Sequence, residues 1–376
     1  FKMQKLAVIG ASYLQLPLIK KARGLGIETH CFAWADGAVC RDEADYFYPV
    51  SVLDKESILE HCRQIGIDGI TTIATDIAVP TISYVAAALG LPANSVETAM
   101  KATDKGLMRQ AFLDYGCAVP RFAVLDSTDA CRPDMAFPVI VKPSDRSGSR
   151  GVARVDKPDQ LEAALKVALA ESITGRAVVE EFIEGAEISI ESISFNGNHY
   201  ILAVTDKVTT GAPHFVEIAH HQPGSLPLVI KQRCIAETLK ALDALGIKNG
   251  AGHTEIKITA EGQPYLIETG ARMGGDFIGS HLVPLSTGYD FLKGVIEVAL
   301  GKFTIPDLPL QRHAGVYFLS KETESLLYLF DKEQPFEVEK QKTSDDLKEL
   351  ANSNDRSGYM IYCSESEIDL LKTQKL

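Results

Sequence analysis

Two glutamates on a predicted β-hairpin give the clearest indication of chemistry in this 376-residue sequence. Residues 252–276 read GHTEIKITAEGQPYLIETGARMGGD, with alternating runs at 254–259 and 264–269 around a turn at 260–263. This pattern is typical of a hairpin. With a two-residue loop, Glu255 faces Glu268 on one side of the ladder. The core-facing side then carries the apolar pairs Ile256–Ile267 and Ile258–Tyr265.

Opposed Cβ atoms of an antiparallel pair lie about 5 Å apart, where like charges repel. A divalent cation would relieve the repulsion, because Mg²⁺ takes oxygen ligands and is commonly held by one or two carboxylates together with substrate phosphates. Glu255 and Glu268 therefore predict a magnesium site, and with it an enzyme that uses a nucleoside triphosphate. Two solvated glutamates on an exposed sheet face remain the alternative from the hairpin alone.

The composition is that of a soluble globular protein with two or three domains, since 45% of the residues are hydrophobic and 23% are charged. A formal net charge of -12 argues against nucleic acid as a partner. No apolar stretch approaches the roughly 20 residues of a membrane span, and we expect a cytoplasmic protein without a signal peptide. The cysteines show no metal spacing and read as reduced thiols without a role: Cys31, Cys40, Cys62, Cys117, Cys131, Cys234 and Cys363.

The first hundred residues alternate short buried strands with helices. Strands are predicted at 6–9, 28–33 and 69–74, and helices at 15–25, 55–65 and 77–89, a pattern typical of a doubly wound parallel sheet. The G-x-G-x-x-G fingerprint is absent because positions 12 and 15 are Ser and Gln, which argues against NAD binding. For Gln15 itself, an exposed position and a substrate contact are both open.

Basic residues and a glycine-rich loop follow. A helix predicted at 98–115 carries Lys105 and Arg109 on one face, a spacing that is usually a solvated stripe. A buried strand at 138–143 delivers Lys142 to the loop 144–151, whose small residues leave backbone N–H groups free to wrap phosphate oxygens. The loop is not a Walker loop, since its lysine precedes the glycines. A plain surface hairpin is the alternative, but together with Lys142 the pattern favours phosphate binding.

Residues 177–187 read AVVEEFIEGAE and lead into an alternating strand at 188–192. Adenine requires a flat apolar slot and backbone groups for its polar edge, and a strand that leaves a β-rich lid can supply both. Glu187 is placed to accept hydrogen bonds from ribose hydroxyls. Simple exposure is the alternative for each glutamate here.

These motifs resemble, in their order, those of the ATP-grasp superfamily of carboxylate–amine ligases. The resemblance rests on Lys105, on VIVKP at 139–143, on the glycine-rich loop, on VEEFIEGAE at 179–187, and on Glu255 and Glu268 followed by Arg272. It covers residues 5–300 approximately. It implies a multidomain α/β and α+β protein, with a doubly wound parallel-sheet domain at 1–97. An ATP-grasp fold of two α+β subdomains gripping ATP would occupy 98–300, with its lid at about 118–184, and a small α+β appendage would occupy 301–376.

The same resemblance implies roles for individual residues. Glu255 and Glu268 would bind Mg²⁺, with Mn²⁺ as an alternative, and Arg272 would stabilise the transferring phosphoryl group. The phosphates would lie at Lys105 and Lys142. The residues implied to bind ATP are Lys105, Lys142, Ser147, Gly148, Gly151, Glu180, Glu181, Phe182, Ile183 and Glu187.

Two further segments, at 206–223 and 273–276, resemble the branch of amino-acid and dipeptide ligases, which is similar to carbamoyl-phosphate synthase. They imply that Lys207 is a catalytic residue beside Arg272, that Glu217 and His220 hold an amine, and that Gly274 and Gly275 let a backbone donor approach a carboxylate. A surface position is the alternative for the histidine. In one departure, Gly270 stands where many members have an asparagine that binds metal, which leaves the number of metal ions open.

The activity that the resemblance implies is the ATP-dependent joining of a small carboxylate to an amine through an acyl phosphate, with release of ADP and phosphate. A purine-pathway or carboxylase-type enzyme and a catalytically silent ATP-binding module are the alternatives. Strands are predicted at 315–319 and 358–362 within the appendage, which carries no recognisable chemistry. Packing over the active site and formation of a homodimer are both open for it.

Overall fold

The computed structural model describes residues 2–129 and 134–371, which form three β-sheets with helices packed against them. The first sheet is parallel, as predicted, and its strand order is β3-β2-β1-β4. Because the order reverses at β1, a crevice opens where the loops after β1 and β4 diverge. The elements of this first unit are β1 Lys5–Ile9, α1 Leu16–Gly24, β2 Glu28–Phe32, β3 Tyr46–Tyr48, α2 Lys55–Ile65, β4 Gly69–Thr71 and α3 Val79–Leu89.

The exposed position left open for Gln15 is wrong, because it is buried at the N-cap position of α1, and its contact with a substrate stays a prediction. Its Oε1 accepts hydrogen bonds from the Ser12 N–H and Oγ, and its Nε2 donates to the Ile73 carbonyl at 2.8 Å. Gln15 therefore ties the loop after β1 to the segment after β4, and fixes the crevice between them.

Two helices, and not the single one predicted at 98–115, lead to the next sheet: α4 Val96–Thr103 and α5 Lys105–Asp114. Asp104 separates them with an extended backbone (φ -104°, ψ 113°), and its carboxylate accepts from the Leu107 N–H as the N-cap of α5. The prediction was wrong because this aspartate both ends one helix and starts the next. As a result Lys105 is the first residue of a helix and is buried.

The second sheet is antiparallel, with the order β5-β8-β6-β7, and it corresponds in sequence to the predicted lid. Alternate residues of its strands, among them Val139, Val141 and Val179, pack with Leu165 in a separate small core. The elements are β5 Phe122–Leu125, β6 Val139–Pro143, β7 Ala153–Val155, α6 Leu161–Glu171 and β8 Ala177–Glu181.

The third sheet is the largest and is antiparallel throughout, with the order β13-β12-β9-β10-β11-β14-β16-β15. Its last three strands come from the region predicted as an appendage, so residues 313–364 extend the same sheet. The domain bounds stay a prediction. The elements are β9 Ala186–Phe195, β10 Asn198–Thr209, β11 Glu217–Gln222, α7 Leu228–Leu245, β12 Gly250–Ile258, β13 Pro264–Gly270, α8 Val283–Thr287, α9 Phe291–Ala299, β14 His313–Leu319, β15 Glu337–Lys342 and β16 Gly358–Ser364.

The hairpin of β12 and β13 has Glu255 opposite Glu268, as predicted, but the apolar register is different. The loop contains three residues and not two, since the Thr259 N–H donates to the Gln263 carbonyl and Gly262 takes the left-handed φ of +79°. The pairs Ile256–Ile267 and Ile258–Tyr265 were therefore wrong, and Ile256 faces Leu266 instead. A β-bulge between Glu255 and Ile256 restores the register at the glutamates and leaves Ile267 out of the core.

One hydrophobic core joins the first sheet to the third. It contains Leu6 and Ile70 from the parallel strands together with Phe291 and Val295 of α9. The packing of α9 on β4 is so close that a Cβ atom on Gly69 would lie 2.6 Å from the Ala299 carbonyl oxygen. This core holds the crevice of the parallel sheet against the third sheet.

The six cysteines within the described ranges are free thiols, and Cys131 lies outside them. Over residues 2–129 and 134–371, helices long and apolar enough to cross a bilayer are absent.

Candidate functional site

A cleft between the second and third sheets encloses a cavity of about 190 Å³. Most residues that the sequence singled out line it, although they come from one helix, six strands and three loops. Gly151 and Gly274 do not line it, and Lys207, His220 and Gly275 line the neighbouring chamber instead. The predicted residues that line the cleft are Lys105, Lys142, Ser147, Gly148, Glu180, Glu181, Phe182, Ile183, Glu187, Glu217, Glu255, Glu268 and Arg272.

Glu255 and Glu268 lie side by side on β12 and β13, and both face the cleft. Each is balanced by a lysine: Lys207 Nζ is 2.9 Å from Glu255 Oε1, and Lys105 Nζ is 3.3 Å from Glu268 Oε1. Burial alone would raise the pKa of Glu255, but Lys207 and His253 outweigh it and keep the pKa well below its usual range. Two neighbouring carboxylates offer the oxygen ligands that a hard cation such as Mg²⁺ takes.

Within the described ranges, groups of three or more His, Cys, Asp or Glu side chains suited to a metal are absent. Glu255 and Glu268 therefore do not form a metal site in which all ligands are protein side chains. Two carboxylates leave the remaining positions of a cation to phosphate oxygens and water, which is the common arrangement for magnesium with nucleotides.

A buried ion-pair network surrounds Glu180 on one wall of the cleft. Its carboxylate accepts from Arg109 Nε and Nη2 at 2.9 and 2.7 Å, and from Lys142 Nζ at 2.5 Å. Burial would raise the pKa of Glu180, but Arg109 and Lys142 outweigh it and lower the pKa to about 2. Burial lowers the pKa of Lys142, and the attraction of Glu180 only partly opposes this. Glu180 thus holds Lys142 at the cleft.

Arg109 was missed as part of the site, because its spacing from Lys105 was interpreted as a solvated stripe. That interpretation is wrong, since Arg109 is fully buried and Lys105 is 6% exposed. Arg109 also donates from Nη1 to the Ile267 carbonyl on β13. The available signal was its position among Met108 and Phe112, which are core residues of the same helix.

The apolar end of the cleft is built around Phe182. Ile140, Phe215 and Ile267 line the same cavity, so a flat slot bordered by β8 is available for a planar ring. Lys257 lies 4.5 Å from the centre of the Phe182 ring, donates to the Ile183 carbonyl at 3.1 Å and is 3.3 Å from Glu187 Oε1. Lys257 was not predicted as a site residue, although it alternates with Ile256 and Ile258 on a strand whose polar side faces the cleft.

The glycine-rich loop bends over the cleft. Gly148 and Ser149 have left-handed φ values of +69° and +58°, and the Arg146 carbonyl accepts from Lys105 Nζ at 2.6 Å. Gly151 lies away from the cavity, where an added Cβ would be 2.9 Å from Pro143 Cγ. Close packing explains this glycine, and its contact with ATP stays a prediction.

A second and larger cavity of about 470 Å³, here called the chamber, adjoins the cleft. One wall comes from the carboxyl ends of β1, β2 and β4, where open α/β sheets commonly bind ligands. Ser147, Gly148, Glu217, Glu255 and Arg272 line both cavities, so the two are continuous. The wall from the parallel sheet includes Ser12, Tyr13, Gln15, Trp34, Asp36 and Thr75.

The junction of the two cavities is rich in paired charges. Arg272 forms a bidentate ion pair with Asp76, with Nε–Oδ1 and Nη2–Oδ2 distances of 2.9 and 2.8 Å. His253 Nδ1 lies 2.8 Å from Glu191 Oε2. Burial would lower the pKa of His253, but Glu191 outweighs it and raises the pKa to about 9. Gly274 is required beside this pair, since an added Cβ would be 2.7 Å from His253 Nδ1.

The glycine at position 270 has a steric reason. A Cβ atom there would lie 2.9 Å from Arg272 Cζ and 3.1 Å from Asp76 Oδ1. The space that an asparagine side chain would take is therefore filled by the Arg272–Asp76 pair.

At the far side of the chamber, Asp276 contacts both His220 and Arg356, and Arg356 was not predicted as a site residue. Asp276 Oδ2 is 3.0 Å from His220 Nε2, and Arg356 Nη1 donates to Asp276 Oδ1 at 2.7 Å. Arg356 follows a short turn between β15 and β16, in the region where we recognised no chemistry. Ser353, Asn354 and Arg356 line the chamber, so this region packs over the site, while the homodimer stays a prediction.

The sequence is similar to a known domain family and to known ligases. Residues 135–280 match the ATP-grasp domain family. Alanine–anticapsin ligase from Bacillus subtilis strain 168 is 29% identical over 245 residues, which cover 58% of this chain and 51% of that protein. The chain thus spans about half the length of that relative. D-alanine–D-alanine ligase from Azoarcus sp. strain BH72 is 28% identical over 274 residues, covering 70% of this chain and 82% of that protein.

The fold has solved counterparts. The crystal structure of L-amino acid ligase from Bacillus licheniformis superposes with a TM-score of 0.80 at 24% identity, and the match covers 97% of this chain and 95% of the other. This likeness extends over the parallel sheet and the C-terminal strands as well as the matched family region. Residues 135–280 therefore form an ATP-grasp domain.

Proposed function

We propose that this protein is an ATP-dependent carboxylate–amine ligase that forms an amide or peptide bond. The observation that carries the proposal is the position of Glu255 and Glu268, which face one cleft together with Lys105, Lys142 and the slot at Phe182. The cleft thus combines a carboxylate pair for a metal, cations for phosphates and an apolar slot for a base. The adjoining chamber gives room for the substrates.

In the first step, an oxygen of the substrate carboxylate attacks the γ-phosphorus of ATP, the bond to the β-phosphate oxygen breaks, and ADP leaves. Lys105 and Lys142 bind the phosphates, and the Glu180 network holds Lys142 in place. Arg272, fixed by Asp76, faces the charge that develops on the transferring group. Glu255 and Glu268 would hold Mg²⁺, which when bound neutralises phosphate charge.

In the second step, the amine nitrogen attacks the carbonyl carbon of the acyl phosphate, the carbon–oxygen bond to phosphate breaks, and the nitrogen loses a proton. The glycine-rich loop excludes water, which would otherwise hydrolyse the acyl phosphate. Ser147 and Gly148 line both cavities, so one loop is placed to cover both reacting centres.

The charges of the chamber favour an amine without a phosphate group over a phosphorylated ribosyl amine. Arg272, Lys207 and Arg356 are each paired with a carboxylate: Asp76, Glu255 and Asp276, respectively. Arg150 is a further, exposed cation on the chamber wall. These cations lie apart, each beside its own carboxylate or in solvent, and form no basic cluster for an additional phosphate, which supports a ligase of the amino-acid type over a purine-pathway enzyme.

The test is ADP release from Mg-ATP with a panel of amino acids and small carboxylates. We expect Glu268→Gln to lower turnover by about a hundredfold or more, since it removes charge stabilisation in the transition state. Glu261→Gln is the matched control, because Glu261 is an exposed glutamate in the loop of the same hairpin. ATP binding without turnover on the whole panel would instead favour the silent ATP-binding module.

A further inference from the structure

Two carboxylates of the chamber lie at irregular backbone. Glu217 begins β11 beside a register shift between Val208 and Thr209 of β10. Asp276 and the next residue, Phe277, both have left-handed φ values, +52° and +64°. Bulges and strained residues of this kind re-aim side chains at functional sites, and they persist only where surrounding contacts hold them.

One guanidinium group holds both irregular segments. Arg356 Nη1 and Nη2 lie 2.7 and 3.0 Å from the two Asp276 carboxylate oxygens, and Nη2 and Nε donate to the Glu217 main-chain carbonyl at 2.9 and 3.2 Å. Its Cζ stacks 3.7 Å from the centre of the Phe318 ring on β14. The planar fork of arginine fits this set of acceptors in a way that the single ammonium of lysine does not.

The two acids keep acceptor capacity toward the chamber. Asp276 receives three contacts, from Arg356 twice and from His220, whereas an ionised carboxylate has about four acceptor sites. Among residues 2–129 and 134–371, the ion-pair contacts of the Glu217 carboxylate are long, 3.4 Å to Lys207 Nζ and 3.5 Å to Arg356 Nη2. An ammonium group brings three donors and a positive charge, which these acceptors suit.

Glu217 lines both the cleft and the chamber. An amine bound there would lie at the junction, next to the cavity in which the carboxylate is activated. Asp276 and Arg356 line only the chamber. Glu217 and Asp276 would therefore orient the amino substrate, with its amine at the junction and the remainder of the molecule in the chamber.

We propose that Arg356 is a positioning residue that holds Glu217 and Asp276 as a pair for the ammonium group of the amino substrate. The proposal rests on the proposed function and adds to it a residue from the C-terminal strands. Arg356 acts through the two acids and has no contact with ATP in this assignment. Its loss should therefore weaken the binding of the amino substrate and leave the binding of ATP unchanged.

Steady-state kinetics of Arg356→Met test this split. We expect the KM for the amino substrate to rise about tenfold or more, the loss expected for hydrogen bonds to charged groups. The KM for ATP should stay within about twofold, since well-separated sites act independently. Arg356→Lys should restore part of the loss. Arg233→Met is the matched control, because Arg233 is exposed on α7 and lines neither cavity.

A double variant separates positioning from folding. Arg356→Met alone leaves the Asp276 carboxylate without its arginine partner. Asp276→Asn in the same chain removes that charge, so the melting temperature of the double variant should be higher than that of Arg356→Met. If Arg356 positions the amine, the raised KM for the amino substrate persists in the double variant. Recovery of both quantities would show a merely structural role and overturn the proposal.

Binding without turnover gives an independent measurement. Trp34 is the single tryptophan of the chain and lines the chamber, so its fluorescence can report the titration of standard amino acids in the presence of a non-hydrolysable ATP analogue and Mg²⁺. Weaker binding to Arg356→Met than to the wild type supports the proposal, even if ligation is never observed and the proposed function fails. Ligation by the wild type with unchanged amine binding in Arg356→Met, or no amino acid bound by the wild type, would overturn it.

Discussion

The cleft and the chamber hold their charged groups in different ways. In the cleft, Arg109, Lys142 and Glu180 form a network in which each side chain is less than a tenth exposed, and they lie on regular helix and strands. In the chamber, Asp276 and Arg356 lie on irregular backbone, and the Asp276 side chain is 23% exposed. Under the proposed function, the cleft that takes ATP is therefore built on a regular helix and strands, whereas the part that meets the other substrates is built from loops.

The largest expected difference between the two regions is in stability. Arg109→Met removes the two hydrogen bonds that Arg109 donates to one oxygen of the buried Glu180 carboxylate, which should lower the free energy of unfolding by about 3–5 kcal/mol. Arg356→Met should cost only about 1–3 kcal/mol, because water can reach Asp276. Urea unfolding of both variants measures this. Equal losses would mean that the chamber is as rigidly built as the cleft.

The second prediction concerns the acid side of the pH range. Glu180 has a pKa of about 2 in the folded protein and about 4.3 when unfolded, so its ion pairs stabilise the fold above the unfolded value, and this contribution is lost as the pH falls towards 2. The difference in unfolding free energy between the wild type and Glu180→Gln should shrink by about 2–3 kcal/mol between pH 6 and pH 2. Urea unfolding along this pH series measures it. A difference that stays constant would contradict the depressed pKa.

Gly270 packs against the Arg272–Asp76 pair at the junction of the two cavities. Gly270→Asn introduces the residue that many superfamily members have there, but its side chain would collide with Arg272 and Asp76. We expect kcat to fall about tenfold, as one misplaced transition-state contact costs at least that much. Gly270→Ala, with a smaller side chain, should lose less. Higher activity in the asparagine variant would instead mean that the arginine pair moves aside and a metal ligand is gained.

Contacts between residues close in sequence could be predicted better than contacts between residues far apart in sequence. The opposition of Glu255 and Glu268 was predicted from one hairpin with a two-residue loop. The loop has three residues, so the apolar pairs next to it are shifted by one, and the glutamates still face each other because a bulge restores the register. The break at Asp104 was missed for a related reason, since one residue ends a helix and caps the next.

Arg356 lies at the other extreme. It meets Asp276 across 80 residues of sequence, and its immediate neighbours Asp355 and Ser357 give no sign of a buried position. Its partner at 276 has a left-handed backbone, which glycine adopts more readily than aspartate, so neither side of the contact is marked locally. Only the order of the third sheet, which places β14 beside β11 and β16 beside β14, brings this arginine to the chamber.

The smallest expected effect is that of Trp34→Ala. The side chain is 47% exposed at the wall that the parallel sheet gives to the chamber, so its removal should change the free energy of unfolding by no more than about 0.5 kcal/mol. The KM for ATP should stay the same, because Trp34 does not line the cleft. The KM for a substrate that enters the chamber should rise about threefold or more, since an aromatic contact contributes about 0.5–1.5 kcal/mol.

Steady-state kinetics with each substrate varied in turn measure this. The control is Tyr46→Ala, which removes another exposed aromatic ring of the same sheet, one that lines neither cavity. A change in the KM for ATP alone would assign this wall to the nucleotide, and the division between cleft and chamber would then have to be redrawn.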